Sequence, residues 1–309
     1  MTPAVETRDL SYSYGSVRAV AGMDLRVDAN EMFALVGPDG AGKTTTIRLL
    51  CGILPSGSGS VRIFGHDLTG ELAWVKEHIG YLSQRFSLYG DLTVDENVEF
   101  FAQIHGVRDF HDRREELLGF TRLLPFRSRL ADRLSGGMKQ KLALACTLVH
   151  HPQIIFLDEP TTGVDPVSRR EFWIILSQLL REGITIVMST PYLDEAERAS
   201  RVGLMSSGRL MAAESPARIK AGMKGSVLEI VCSDIRRASK VLRGLAELRE
   251  VQLFGDRLNA VATDSGAGEQ AARRALEEAG IAISSVRVIP SSLENAFISV
   301  IRSESEVAS

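Results

Sequence analysis

Four short runs of apolar residues punctuate the first two-thirds of the chain: MFALVG (32–37), HIGYLSQ (78–84), IIFLDE (154–159) and ITIVMST (184–190). Each is near-continuous rather than alternating, the pattern of a strand buried on both faces of a parallel sheet. A glycine-containing loop or a helical stretch follows each run, so residues 1–220 are expected to form an α/β domain with a largely parallel core. Before these runs, LSYSYGSVRAVAGMDLRV predicts a pair of strands, antiparallel to one another. Thr93 with Glu96 three positions later is a capping box, which predicts a helix over 93–105. That helix opens a mainly helical segment reaching to about residue 130.

The pattern changes near 215–225, where ESPARIKAGMKGS places Pro216, Gly222 and Gly225 in what reads as a linker or domain border. Beyond it come a strand (SVLEIVC), a helix (234–247), two strands (EVQLF and LNAVAT), a helix (268–279) and a strand (SSVRVI). This β-α-β-β-α-β order over residues 225–309 predicts a small α+β ferredoxin-like domain. Gly266 and Gly268 read as a short loop rather than a phosphate fingerprint, and no metal-ligand cluster is evident there. A regulatory or dimer-stabilising module is the expectation. The 309 residues hold two such domains comfortably.

Charge narrows the function classes. Lys and Arg number 36 against 39 Asp and Glu, a net charge of −3. A nucleic-acid coat protein would need a cationic excess to displace phosphate counterions, so no nucleic-acid partner is expected. Cys51, Cys146 and Cys232 are widely spaced and form no CxxC, which argues for small buried hydrophobes in a reducing compartment. The start MTPAVETRDL does not read as a signal peptide, and no run approaches the ~20 apolar residues of a membrane span. The expectation is a cytoplasmic protein that reaches a membrane only through a partner.

The strongest chemical signal is GPDGAGKTT, residues Gly37, Pro38, Asp39, Gly40, Ala41, Gly42, Lys43, Thr44 and Thr45, between a strand and a helical pattern. Glycines let the backbone amides turn inward around phosphate oxygens, and the following helix N-terminus adds partial positive charge. Lys43 would reach the β- and γ-phosphates, and the Thr44 hydroxyl would hold Mg²⁺. Downstream, Ile154–Leu157 deliver Asp158 beside this loop to orient Mg²⁺, and place Glu159 to polarise an attacking water. ATP and Mg²⁺ are therefore the expected ligands. LSGGMKQK (134–141) predicts a second anion-binding helix N-terminus, with Ser135, Gly136 and Gly137 as its cap. A chain that already has its own phosphate loop would use this second one on the nucleotide of another subunit.

With these motifs in hand, residues 5–220 resemble the ATP-binding-cassette (ABC) ATPases. The resemblance implies a head-to-tail dimer, most simply of two identical chains, with two ATP molecules sandwiched between phosphate loop and opposing signature. It also implies roles for further residues. Tyr14 matches the aromatic that stacks on adenine; Gln84 matches the loop glutamine that touches Mg²⁺ and the attacking water. Asp165 in GVDP matches the acid that communicates across the dimer. Glu159, Gln84 and Lys43 are then the expected catalytic residues, and Thr44, Gln84 and Asp158 the expected metal ligands. One departure stands out: where the family normally has a histidine after a strand-end Ser-Thr, this chain has Pro191. Proline offers neither a side-chain donor nor an N–H, although it is tolerated in the first turn of a helix, where Asp194 and Glu195 suit the helix start.

YLSQRFSLYGDLTVDENVEFFAQIHG, TTGVDPVSRREFW and STPYLDEAER are similar to the ATPase subunits of bacterial type-2 ABC exporters. Those subunits pair with separately encoded permeases and export drugs, lipids, polysaccharides or other hydrophobic compounds. SSLENAF (291–297) resembles an element near their end, and Arg85, Phe86 and Tyr89 fall where they dock the permease. The resemblance thus implies a peripheral position at the inner face of the cell membrane. Two alternatives stay open: a non-hydrolysing regulatory subunit, motivated by Pro191, and a soluble ABC ATPase acting on ribosomes or DNA. Only about 90 residues separate Lys43 from Ser135 without a heptad run, which speaks against the coiled-coil insertion of DNA-repair members.

Overall fold

The computed structural model describes residues 2–85, 87–223 and 225–307. They fall into two compact units, Met1–Ser215 and Pro216–Ser309.

In the first unit, β1 (Val5–Tyr14) and β2 (Val17–Val27) pair antiparallel, as the sequence leads one to expect. Next come β3 (Met32–Val36), α1 (Lys43–Leu50), β4 (Ser58–Ile63) and β5 (His66–Asp67). Helix α2 (Leu72–His78) runs directly into β6 (Ile79–Leu82). Helices α3 (Val94–Ile104), α4 (His111–Phe120) and α5 (Gly136–Leu148) form the helical segment. The chain then alternates: β7 (Ile154–Asp158), α6 (Pro166–Arg181), β8 (Thr185–Thr190), α7 (Leu193–Ala196), β9 (Arg201–Ser206) and β10 (Arg209–Glu214).

Two sheets result. One is antiparallel, in the order β2-β1-β4-β5. The other has six strands, β10-β9-β3-β8-β7-β6, parallel throughout except for the β9–β10 pair. Every residue of β3, β7 and β8 is buried, which explains why those strands read as unbroken apolar runs. Ile47, Leu49 and Leu50 of α1 share one core with Leu10, Met23 and Ile63 of the antiparallel sheet and Phe33, Leu35 and Phe156 of the parallel one. Helix α1 thereby follows the C-terminal end of β3, the strand between β8 and β9, and open α/β sheets bind ligands at such strand ends.

The capping box is present: Thr93 Oγ1 accepts from the Glu96 amide, and Glu96 accepts from the Thr93 amide. At the far end of the helical segment, His150 Nε2 lies 2.9 Å from the Ile79 carbonyl at the start of β6. A carbonyl can only accept, so Nε2 carries the proton and Nδ1 is a buried acceptor. The His150 ring stacks on His105, 3.9 Å between centroids and 6° between planes. Burial, reinforced by His105, pushes the His150 pKa down to about 4. All three cysteines are buried, and burial pushes their thiols up, so they pack as neutral apolar groups.

The second unit contains α8 (Pro216–Ala221), β11 (Ser226–Cys232), α9 (Ile235–Leu242), β12 (Leu248–Phe254), β13 (Arg257–Ala262), α10 (Ser265–Glu278), β14 (Ile283–Ile289) and α11 (Leu293–Val307). Its sheet order, β12-β13-β11-β14, is antiparallel throughout and is that of a ferredoxin-like fold. The border segment holds a short helix, because Pro216 opens α8, where its missing N–H costs nothing. One local reading of the sequence changes. Gly266 and Gly268 lie in α10, not in a loop. A Cβ on Gly268 would sit 2.5 Å from the Ala262 Cβ and 3.3 Å from Leu228 Cδ1. The glycine therefore lets α10 lie against the sheet. The SSLENAF segment runs into the first turn of α11, with Leu293 and Phe297 buried.

Two stability outcomes are expected. Neutral His150 is buried in the fold while its unfolded form takes up a proton near pH 6.5, so its contribution is complete above that pH. It is lost as the pH falls from about 6.5 towards about 4. The thermal midpoint gap between the parent and His150→Asn should narrow over that window; a gap independent of pH would contradict it. Replacing Gly268 with Ala should cost the second unit about 1–3 kcal/mol in denaturant melts, and adding Ala262→Gly should recover part of it.

Candidate functional site

The loop from β3 to α1 is shaped by steric exclusion. A Cβ on Gly37 would overlap the Met205 carbonyl oxygen, and one on Gly42 the Ala19 carbonyl oxygen. Gly42 also has φ +100°, a left-handed conformation that side chains disfavour. The Ala41 amide donates to the Pro38 carbonyl at 3.1 Å, closing the loop. Gly42 is the N-cap of α1, no side chain caps the helix and no acid lies in its first turn. The first amides of α1 are therefore not taken up by a capping side chain, a site suited to an anion. The Lys43 side chain is only 4% exposed, and its ammonium donates to the carbonyls of Gly37 at 2.9 Å and Pro38 at 3.1 Å.

The acids arrive from β7. Asp158 is fully buried, and its Oδ1 accepts from Thr44 Oγ1 at 2.9 Å and Ser189 Oγ at 2.7 Å. Its Oδ2 is buried with no hydrogen-bond partner among the described residues. Glu159 adopts φ +48°, uncommon for a non-glycine residue, with its amide bonded to Ser189 Oγ at 3.0 Å. Its Oε1 lies 3.6 Å from Lys43 Nζ, while Oε2 accepts from Gln84 Nε2 at 2.9 Å and Thr162 Oγ1 at 3.4 Å. Residues far apart in sequence thus meet: a buried ammonium, a hydroxyl and two carboxylates around one glycine loop.

This cluster lies on an open cleft of about 940 Å³, whose lining includes Tyr14, Asp39, Gly40, Ala41, Thr45 and Pro191. Tyr14 is half-exposed at the end of β1, held edge-on against Tyr12 with centroids 4.9 Å apart. Pro191 is not in the first turn of a helix. Tyr192 is the N-cap of α7 and Pro191 precedes it, so that the Tyr192 amide donates to Thr190 Oγ1 at 3.0 Å. The reason is that Thr190 ends β8 and its hydroxyl, rather than a helical carbonyl, takes the first free amide. Pro191 nonetheless faces the cleft beside Glu159 and Gln84.

Ser135, Gly136, Gly137 and Asp165 are not part of the cleft lining. Ser135 caps α5, its Oγ accepting from the Met138 amide at 3.3 Å, as its sequence context leads one to expect. Asp165 caps α6, accepting from the amides of Val167 at 3.1 Å and Ser168 at 3.0 Å. Hydrogen bonds from Ser168, side chain and backbone, hold the Asp165 carboxyl below its usual range. A Cβ on Gly137 would overlap the Ser168 side chain, so the signature glycine packs directly on the Asp165 turn. One chain therefore carries two separate clusters: the phosphate loop with its acids, and the signature with Asp165.

Arg18, Ser189 and Tyr192 also belong to the cleft or its hydrogen bonds, although the sequence assigns them no role. Glu195 lies in the first turn of α7, as its sequence context suits, and is also buried, accepting from Thr161 and Thr190. Of the residues resembling a permease-docking segment, Arg85 is exposed and Tyr89 is 46% exposed; Phe86 lies outside the described residues.

Comparison with known proteins agrees with this geometry. A family model described as ABC transporter matches residues 20–162. The chain is 41% identical over 222 residues to the probable multidrug ABC transporter ATP-binding protein YbhF of Escherichia coli (strain K12). That match covers 70% of this chain but spans only 38% of YbhF. It is 36% identical over 258 residues to the daunorubicin/doxorubicin resistance ATP-binding protein DrrA of Streptomyces peucetius, covering 82% of this chain and 78% of DrrA. Among solved structures, a dimeric ATP-binding cassette in a post-hydrolysis state with ADP and Pi bound matches with a TM-score of 0.62 and 26% identity. That match covers 68% of this chain and 98% of the other. This chain therefore belongs to the ABC transporter family, as an ATP-binding protein.

Proposed function

We propose that the chain is the ATP-binding and ATP-hydrolysing subunit of a type-2 ABC exporter, working with a separate membrane permease on drug-like, lipid or other hydrophobic cargo. The observation that carries the hydrolytic reading is the orphaned Asp158 Oδ2. A fully buried carboxylate without an ion pair among the described residues is costly unless a cation comes to it. A hard oxygen-bound cation such as Mg²⁺ fits the donors present: Thr44 Oγ1, Asp158 and the side-chain oxygen of Gln84. When bound, Mg²⁺ would neutralise charge on the β- and γ-phosphates.

The chain's own residues do the remaining work. Tyr14 stacks on the adenine, and the amides of Gly40–Thr45 take the phosphates. Lys43 exchanges its carbonyl partners for phosphate oxygens, which also loosens its contact with Glu159. Glu159, turned by its left-handed backbone towards Gln84, is then placed to accept a proton from the attacking water. Because Ser135–Gly137 lie outside this cleft, the signature of a second copy closes over the nucleotide. ATP favours that closed dimer because it contacts both chains, and its hydrolysis removes the bridge.

The permease contact is supported by the segment after Gln84. Asn97, fully buried in α3, donates to the Tyr89 carbonyl at 3.0 Å and accepts from the Tyr89 amide at 2.9 Å. Beside it lies a mainly apolar cavity of about 300 Å³ lined by Leu82, Leu88, Phe101 and His105. A partner docked there would be linked to Glu159 through Gln84. Among the described residues no helix is long and apolar enough to cross a membrane, so the reading places the chain at the inner membrane face through its permease. The names of YbhF and DrrA support a drug-like cargo.

A second reading, a slow or non-hydrolysing regulatory subunit, draws on Pro191 alone, which puts no donor into the cleft where the family has histidine. Phosphate release by the purified chain, alone and with its permease, separates the two. Glu159→Gln should bind ATP, dimerise with it and release no phosphate; parental turnover in this variant would remove Glu159 from its role. Pro191→His should raise turnover, by up to about a hundredfold if the added donor meets the γ-phosphate. An unchanged rate would show that this chain does not depend on that contact.

A further inference from the structure

Three segments that bound the hydrolytic side of the cleft converge on one carboxylate that the mechanism above does not use. Glu195, in the first turn of α7, is 1% exposed. Thr161 Oγ1 donates to both its oxygens, at 2.6 and 2.8 Å, and Thr190 Oγ1 donates to Oε2 at 2.9 Å. Arg169 of α6 lies 3.5 Å from Oε1, and its guanidinium also covers the Tyr192 ring at 4.9 Å. Thr161 follows Glu159 by two residues, Thr190 ends β8 immediately before Pro191, and Asp165 caps the helix that carries Arg169.

We propose that Glu195 is the positioning residue of hydrolysis, fixing Glu159 through Thr161 and the Pro191–Tyr192 wall through Thr190. The proposal rests on the hydrolytic reading given above. Its physical basis is that Glu159 holds an uncommon left-handed backbone, which persists only where the surroundings determine it. On one side Ser189 binds the Glu159 amide; on the other, the buried Glu195–Thr161 bond stops the following turn from relaxing. Thr190 works in both directions, giving its proton to Glu195 and accepting from the Tyr192 amide. The cleft wall at 191–192 thus takes its position from the same carboxylate. Pro191 offers no donor of its own, so what it contributes to the γ-phosphate end is the placement of its backbone.

The test compares Glu195→Gln, Thr161→Val and Thr161→Ser with the parent, measuring kcat, KM, ATP affinity in the presence of Mg²⁺, and the thermal midpoint. Glu195→Gln and Thr161→Val should each lower kcat by about tenfold, since each weakens or removes the charge-assisted bond that holds the Thr161 turn. ATP affinity should stay within about twofold, because the phosphate loop is untouched. The double variant Glu195→Gln/Thr161→Val should be no slower than the slower single, since the Thr161–Glu195 bond is common to both. Thr161→Ser, which restores the hydroxyl, should recover most of the turnover. A Glu195→Gln kcat within about twofold of the parent overturns the proposal, as does a loss in KM instead of kcat. Equal losses in Thr161→Val and Thr161→Ser overturn it too, and the Thr161 pair decides alone if Glu195→Gln fails to fold. A parent that binds ATP without hydrolysing it refutes the functional reading itself, whereas a hydrolysing parent with an indifferent Glu195→Gln refutes only the positioning role.

Discussion

Asp158 ties the first unit together at its most demanding point. Its carboxylate receives the hydroxyl of Thr44 from α1 and that of Ser189 from β8, while it ends β7 itself. One buried oxygen therefore joins the phosphate-loop helix to two neighbouring strands, and the other oxygen stays unpaired. Burying a charge in this way is unfavourable on its own. Two hydroxyl donors offset part of that cost, and the cation of the proposed function would offset the rest at the unpaired oxygen.

From that point the cleft extends in two directions. Ser189 passes the constraint to the Glu159 amide, and Glu159 in turn meets Lys43 and Gln84. Gln84 stands at the end of the short segment from β6, whose first carbonyl is held by His150 and whose following loop is held by Asn97. A change at the nucleotide can therefore reach the helical segment through few, specific contacts. The signature helix and the Asp165 turn are packed against each other at Gly137, away from this cleft. The proposed assembly around nucleotide would use these two clusters, which do not meet within the chain.

Pro191 shows how one departure is accommodated. The residue sits ahead of the α7 cap, where its missing N–H leaves no donor unpaired, and the chain continues through Tyr192 bound to Thr190. The local fold is preserved, and only a side-chain contact is given up.

What the sequence alone determined is what depends on local pattern: the buried strands Met32–Val36, Ile154–Asp158 and Thr185–Thr190, the Thr93–Glu96 cap, the glycine loop and the Ser135 cap. These follow from periodicity, φ preferences and short-range hydrogen bonds, all encoded within a few residues. The order of the second unit's strands and helices was legible for the same reason. Tertiary structure decided what depends on distant partners. It buried Glu195 among Thr161, Thr190 and Arg169, although its sequence context is that of an ordinary helix-start acid. It required a glycine at 268 because α10 lies close to Ala262, and it left Asp158 with an unpaired oxygen among the described residues. No local pattern carries that information, because the burial and pairing of a polar side chain depend on segments that only folding brings beside it.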